Sequence, residues 1–178
     1  LSIAAGKALA FFETHLGADA AVIRAMPNTP AAIGLGMTVV CANAGASSTD
    51  RELAENLMKA AGAVAWVEDE ALMDGVTAVS GSGPAYIFHM IECLAAAGVA
   101  AGLPADLSAQ LARATVEGSA ALSHQDGSAP KTLRQNVTSP GGTTAAALAI
   151  LMDDVDGLQA LMTRAVAAAA NRSRELAD

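Results

Sequence analysis

Residues 138–144 read TSPGGTT, a stretch suited to holding a small anion. Pro140 fixes one φ angle, and Gly141 and Gly142 let the backbone approach a ligand closely. Helical spacing resumes at Thr143. The first N–H groups of a helix have no partner inside it, and the helix dipole is positive at that end. A carboxylate is the simplest ligand for such a site. Each charge–dipole contact contributes roughly 0.3–1 kcal/mol. Thr143 and Thr144 add hydroxyls that can donate or accept. The same residues would equally make an ordinary turn with threonine caps.

Two further segments permit close approach. Residues 80–84 (SGSGP) open a long apolar helix beside a change in sequence pattern, and ligand sites favour such boundaries. There Ser80, Gly81, Ser82 and Gly83 are the candidates, against a plain helix entry with a serine N-cap. Residues 26–30 (MPNTP) follow a short apolar run. In an open α/β sheet, ligands gather at the carboxyl ends of strands. Met26, Asn28, Thr29 and Pro30 are therefore candidates to border a cofactor. The alternative is a structural turn, with a cis proline as one form of it. His15 and His124 are expected near helix ends as solvated or capping groups, and His89 as a core histidine. The acidic groups at 68–74 and 153–156 lack a calcium-loop pattern and read as solvated. No metal site is expected. Cys41 and Cys93 lie in no CxxC or Cys/His cluster and are expected to be free thiols.

The elements that would position these groups change character along the chain. Short apolar runs at 1–5, 21–25, 37–41 and 64–67 read as strands. Helices are expected at 7–16, ending on Gly17, and after a capping box of Thr49 and Glu52, with Leu53, Leu57 and Ala61 inward. This alternation indicates α/β structure. Past a boundary at 70–74 no strand pattern remains. Helices are expected at 85–101, stopped by Gly102, then from Pro104 with Leu107, Leu111 and Leu122 inward, then at 131–137, 143–152 and 158–176. The run 85–103 approaches membrane-spanning length, but His89, Glu92 and the lack of flanking belts favour a buried helix.

Of the 178 residues, 53% are hydrophobic and only 3% aromatic, a mix that favours close-packed helices. The net charge of −8 opposes non-specific nucleic-acid binding, which needs a basic footprint. No signal-peptide pattern is present at the first residues, and Leu1-Ser2-Ile3 reads as the interior of a strand. The chain is therefore expected to be part of a longer one.

Taken together, MPNTP, then VSGSGPAY at 79–86, GLP at 102–104 and NVTSPGGTT at 136–144 resemble the pyrroline-5-carboxylate reductase family over essentially all of 1–178. The resemblance implies an α/β remnant of a Rossmann-type domain at 1–73, followed by an all-α helical dimerisation and substrate-binding domain at 74–178. It implies reduction of pyrroline-5-carboxylate to proline with NADPH or NADH. Thr144 would stand by the reacting nitrogen. Val137, Ser139, Gly141, Gly142, Thr143 and Thr144 would line the substrate. Met26, Asn28, Thr29, Pro30, Ser80, Gly81, Ser82 and Gly83 would border the cofactor. A homodimer, with assembly into rings of dimers, and a cytoplasmic location without nucleic-acid or membrane partners complete the expectation. The glycine-rich GxGxxG fingerprint does not occur in 1–178, so the chain alone is expected to lack activity. Two competing readings remain: a non-catalytic helical oligomerisation module, and a related imine or hydroxyacid reductase. The hydroxyacid enzymes usually place a lysine in the helix corresponding to 85–101, where this chain has none.

Overall fold

The computed structural model describes residues 1–4, 6–17 and 19–177. It divides into two compact units, one of Leu1–Pro84 with Arg164–Asp178 and the other of Ala85–Thr163.

The first unit is built on a three-stranded sheet in the order β1 (Ile23–Met26), β2 (Gly36–Ala42), β3 (Gly62–Trp66). β1 and β2 are antiparallel, whereas β2 and β3 are parallel and joined through helix α2 (Ser48–Lys59). Successive strand residues face opposite sides. On one side Val22, Val39 and Cys41 meet Leu9 of helix α1 (Leu9–Leu16) and Met73 of the short helix α3 (Met73–Val76). On the other, Ile23, Ala25 and Val40 meet Ala54 of α2. The sheet is thus covered on both faces, as its nearly unbroken apolar strands require. Gly62 opens β3 at φ +139°, and a Cβ there would lie 2.1 Å from the carbonyl oxygen of its register partner Gly36. Only glycine lets these two strands approach so closely.

Several expectations are corrected. The run at 1–5 is not a strand: Ser2 makes a single parallel bridge to Arg24, Leu1 and Ile3 are exposed, and Ala5 lies outside the described residues. The capping box of α2 uses Ser47 and Asp50 instead of Thr49 and Glu52; Ser47 Oγ accepts from Asp50 N at 3.2 Å and Asp50 Oδ2 accepts from Ser47 N at 2.9 Å. An aspartate at the third helical position reaches back as a glutamate does, so the box forms two residues earlier. Leu53 and Leu57 are exposed, while Ala54 is buried and Met58 packs against the core. The two stripes are adjacent i, i+4 pairs, and the smaller one lets the helix sit closer to the sheet.

Cys41 is 1% exposed. Burial, reinforced by the nearby Glu70 carboxylate, pushes its thiol up from 9.0 to about 11, with Arg24 opposing. The folded state therefore holds the proton more tightly than the unfolded chain. This contribution to stability is complete below about pH 9 and is lost as pH rises from there through about 11. At its full extent it amounts to about 2–3 kcal/mol. Urea unfolding at pH 8 and at pH 10.5 should show a smaller alkaline loss in Cys41→Ala than in the unsubstituted chain. Equal losses would show that Cys41 plays no part.

The second unit is helical. It contains most of α4 (Gly83–Ala100), then α5 (Ala105–Asp126), α6 (Pro130–Asn136), α7 (Thr143–Leu151) and the start of α8 (Leu158–Ala177). α4 ends in a Schellman motif, with Gly102 at φ +95°, Leu103 N donating to Gly98 O at 3.0 Å and Gly102 N to Val99 O at 2.9 Å. α5 then packs back on α4, where Ser108 Oγ donates to Ala95 O at 2.6 Å. A Cβ on Gly98 would meet that hydroxyl, so glycine permits the crossing. Here too the expected face is replaced by its neighbour. Ser108 and Ala112 are buried, whereas Leu107, Leu111 and Leu122 are exposed. Pro104 stands at the N-cap of α5 instead of inside its first turn.

The expected burial of 85–103 does not hold within one chain. α4 has no buried residue, and Phe88 is 60% exposed. By length and composition the continuous helical stretch Glu70–Ala100 could cross a membrane. His89 is exposed as well, with Nδ1 2.9 Å from Glu92 Oε2 and Nε2 3.5 Å from Cys93 Sγ. α5 packs against this helix through Ser108, and among the described residues the helix keeps no buried position.

Candidate functional site

In the first unit, the segments MPNTP and SGSGP are brought together. Met26 ends β1, and Asn28 precedes a 3₁₀ turn over Thr29–Ile33 in which Thr29 is exposed and Pro30 stands near the start. No cis peptide occurs among the described residues. α3 runs into a π-helical turn over Thr77–Gly81. Its i→i+5 bond runs from Ser82 N to Thr77 O at 2.8 Å, and Thr77 Oγ1 donates to Met73 O at 2.8 Å. Such turns favour functional places, because the extra residue re-aims the side chains around it. Here it places Ser80 where its hydroxyl accepts from Asn28 Nδ2 at 3.3 Å. Asn28 Oδ1 in turn accepts from Met37 N at 2.8 Å. A Cβ on Gly81 would lie 2.5 Å from Met26 Cε, so the bare glycine lets the two segments close on one another. Gly83 opens α4.

TSPGGTT is built within the second unit alone. Val137 caps the end of α6 and is exposed. Ser139–Gly142 is a β-turn closed by Gly142 N donating to Ser139 O at 3.1 Å, with Pro140 second and Gly141 third at φ +69°. Proline then a positive-φ glycine is the type II pattern. The turn delivers Gly142 as the N-cap of α7, with no side-chain cap. Gly142 thereby spends its own N–H inside the turn. The N–H groups of Thr143, Thr144 and Ala145 are the first-turn donors that remain. Neither threonine hydroxyl makes a hydrogen bond among the described residues, and Thr144 is half-buried. Between α6 and α7 lies an open groove of about 520 Å³ lined by Arg134, Gln135, Thr138, Ala145, Leu148, Ala149 and Met152. Arg134 is its cation; the guanidinium touches Met152 Sδ, and Thr138 Oγ1 donates to Arg134 O at 2.6 Å.

Sequence reasoning passed over the Met37 N–H, the π turn at Thr77, and Arg134. The first two leave no signal in composition or spacing. Arg134 stands four residues before Thr138, a helical spacing that would have put it beside the motif.

The remaining candidates have local work. His15 Nδ1 lies 2.7 Å from Phe11 O at the end of α1, and His124 falls in the last turn of α5. Glu68 pairs with Arg51 at 3.2 Å, Glu70 with Arg24 at 2.8 Å, and Asp74 Oδ1 accepts from Ser173 Oγ at 2.6 Å. Glu70 and Asp74 are thus tied into the fold instead of forming a solvated face. Asp153 Oδ1 accepts from Val155 N and Asp156 N, which holds its carboxyl below the usual range. Both cysteines are free, Cys41 buried and Cys93 exposed.

The profile for pyrroline-5-carboxylate reductase dimerisation matches residues 70–176. Pyrroline-5-carboxylate reductase of Synechocystis sp. is 46% identical over 99% of this chain and 64% of its own length. The enzyme of the same name from Arabidopsis thaliana is 45% identical over 100% of this chain and 63% of its own. Among solved structures, a pyrroline-5-carboxylate reductase from Coxiella burnetii superposes with a TM-score of 0.92 at 39% identity, covering 99% of this chain and 65% of that one. A Plasmodium falciparum pyrroline carboxylate reductase with NADP bound gives 0.85 at 33% identity, covering 99% and 70%. The chain thus spans somewhat under two-thirds of the length of these curated relatives. Similarity of this extent, running through the sheet-bearing unit and the helical one alike, makes the chain a member of the pyrroline-5-carboxylate reductase family.

Proposed function

We propose that this chain contributes to reduction of 1-pyrroline-5-carboxylate to L-proline, the last step of proline biosynthesis, with NADPH or NADH as cofactor. Family membership together with the uncapped, glycine-led N-terminus of α7 at TSPGGTT carries this reading. A reduced nicotinamide, when bound, supplies the hydride. The polar pair Asn28–Ser80 and the bare backbone at Gly81 suit its approach, and they stand at the carboxyl end of β1. Met26, Thr29, Pro30, Ser82 and Gly83 complete that border. The N–H groups at Thr143, Thr144 and Ala145 suit the substrate carboxylate, with Val137, Ser139, Gly141 and Gly142 shaping the approach. Thr144 Oγ1 serves as the hydrogen-bonding partner of the ring nitrogen. The chain's work is chiefly orientation, which converts a bimolecular encounter into a near-unimolecular step.

The functional division falls at 1–73, the end of a Rossmann-type domain, and 74–178, the dimerisation and substrate domain. A second copy of the chain is the natural cover for Ile87, Phe88 and Leu94 of α4 and for Leu107 and Leu111 of α5, all exposed in one chain. The pairing is a homodimer, with rings of dimers as the larger assembly. The net charge of −8 fits a cytoplasmic enzyme that engages neither nucleic acid nor membrane.

The test is an assay of NADPH or NADH oxidation with pyrroline-5-carboxylate, using a polypeptide of the relatives' full length that carries this chain. Turnover supports the reading. A folded protein inactive with both cofactors would leave the oligomerisation-module reading in its place.

A further inference from the structure

We propose that Asn28 is a positioning residue that fixes the direction of the Ser80 hydroxyl, making Ser80 a hydrogen-bond donor toward an oxygen of the bound cofactor. The inference rests on the proposed nicotinamide site and deepens it. The orientation of the Asn28 amide is dictated by its surroundings. Met37 N is a backbone donor, so the atom of Asn28 that faces it at 2.8 Å must be the carbonyl oxygen. The other end of the same amide is then the NH₂ group, and it faces Ser80 Oγ at 3.3 Å. Ser80 Oγ is consequently the acceptor in that bond, and its own proton is left to donate elsewhere. It makes no second hydrogen bond among the described residues, neither to its helix nor to the loop. The π turn explains why: the backbone bond at this point skips to Ser82 N→Thr77 O, and Ser80 is aimed at the 26–30 loop instead of back along the helix.

Asn28 itself therefore has both ends committed within the protein. It acts through Ser80, and Ser80 is the group that touches the ligand. The complementary chemistry is a carbonyl or carboxylate oxygen. The position at the carboxyl end of β1, in the sheet-bearing unit, assigns that oxygen to the cofactor, whose carboxamide offers one; the substrate carboxylate is the other source of the same chemistry.

The discriminating variant is Asn28→Asp, nearly identical in shape. Its carboxylate still accepts from Met37 N, so the loop keeps its anchor. It has no proton to give Ser80, so the serine hydroxyl must turn inward and donate to it. The experiment compares the unsubstituted protein, Asn28→Asp, Ser80→Ala and the double variant, in a polypeptide of the relatives' full length. The readouts are Tm, Kd for NADPH by calorimetry, and kcat with KM for each substrate. Asn28→Asp should keep its Tm within about 2 °C, since no buried donor is left unpaired. Asn28→Asp and Ser80→Ala should each weaken NADPH binding roughly 3- to 12-fold, the loss of one neutral hydrogen bond. The double variant should be no weaker than Ser80→Ala alone, because Asn28 has nothing left to act on.

A repulsive effect of the new charge on an anionic cofactor would persist in the Ser80→Ala background, and such additivity overturns the proposal. So does NADPH binding within twofold of the unsubstituted value in Asn28→Asp when the imine KM is also unchanged. If Asn28→Asp does not fold, Ser80→Ala decides alone: it leaves the Asn28–Met37 bond in place, and unchanged Kd and KM values refute the donor role. A rise confined to the imine KM moves the acceptor to the substrate carboxylate and keeps the donor assignment. An unsubstituted protein that binds NADPH but does not reduce the imine defeats the reductase reading, while the Kd comparison still decides this one. An unsubstituted protein that binds neither NADPH nor NADH defeats both.

Discussion

Thr144→Ala is expected to lower kcat/KM for pyrroline-5-carboxylate roughly 10- to 150-fold in a polypeptide of the relatives' full length, with little change in Tm. The size follows from what the hydroxyl would do. A hydrogen bond to a charged group is worth about 1.5–3 kcal/mol, and the ring nitrogen of a protonated imine carries the charge that the reaction redistributes. If the bond is felt mainly in the transition state, the loss falls in kcat more than in KM. The fold should be indifferent. Thr144 is half-buried in the first turn of α7, its hydroxyl has no partner among the described residues, and alanine is the better helix former. Thr144→Ser, which keeps the hydroxyl, should recover most of the rate, whereas Thr144→Val, which keeps the shape, should not. A loss below about threefold in Thr144→Ala would remove this residue from the chemistry.

The sequence is most informative where a residue type has few alternatives and least where two neighbouring stripes compete. Pro140-Gly141-Gly142 can do little except turn and begin a helix, and the structure has that turn, with Gly141 at φ +69°. Gly102 and Gly17 end helices for the same reason. The apolar runs at 21–25, 37–41 and 64–67 correspond to strands whose bounds shift by one or two residues. In α2 and α5, by contrast, the leucines were expected inward, and the buried positions are Ala54, Ser108 and Ala112. Periodicity fixes the spacing of a stripe but not which of two adjacent stripes lies closest to its neighbour; that depends on how near the backbones must come. His89 and the whole of α4 miss for a different reason. An apolar helix signals that something covers it, but not what does, and among the described residues α4 is left without a buried position. The family resemblance set MPNTP and SGSGP along one cofactor, but the direct contact between them was not legible in the residues themselves. It depends on an amide reaching across from the 26–30 loop and on a π turn, neither of which has a spacing signature.

Glu70→Ala is expected to cost about 3–5 kcal/mol of stability, because it leaves the buried Arg24 guanidinium without its partner. Glu70 Oε1 accepts two bonds at once, from Arg24 Nη1 at 2.8 Å and from Leu9 N at 2.9 Å. It therefore joins three elements: strand β1, the start of helix α1 and the 3₁₀ turn over Glu70–Leu72 that leads into α3. The Arg24 side chain is 8% exposed, so its guanidinium is poorly hydrated when the carboxylate is gone. For a chain of this size such a loss should lower Tm by roughly 6–20 °C. The cost comes from the charge left behind more than from the pair itself, so Arg24→Met/Glu70→Leu should recover most of it. Cys41 supplies a second reading of the same event, because it is the register partner of Arg24 and the Glu70 carboxylate helps hold its thiol proton. With Glu70 gone and Arg24 unopposed, the Cys41 thiol should titrate below its value of about 11. Labelling of Cys41 at pH 9.5, measured in a Cys93→Ser background, should then be faster in Glu70→Ala than in the parent. If Glu70→Gln, which keeps the shape and one neutral acceptor but not the charge, were as stable as the parent and left Cys41 labelling unchanged, charge would not be what holds β1, α1 and α3 together.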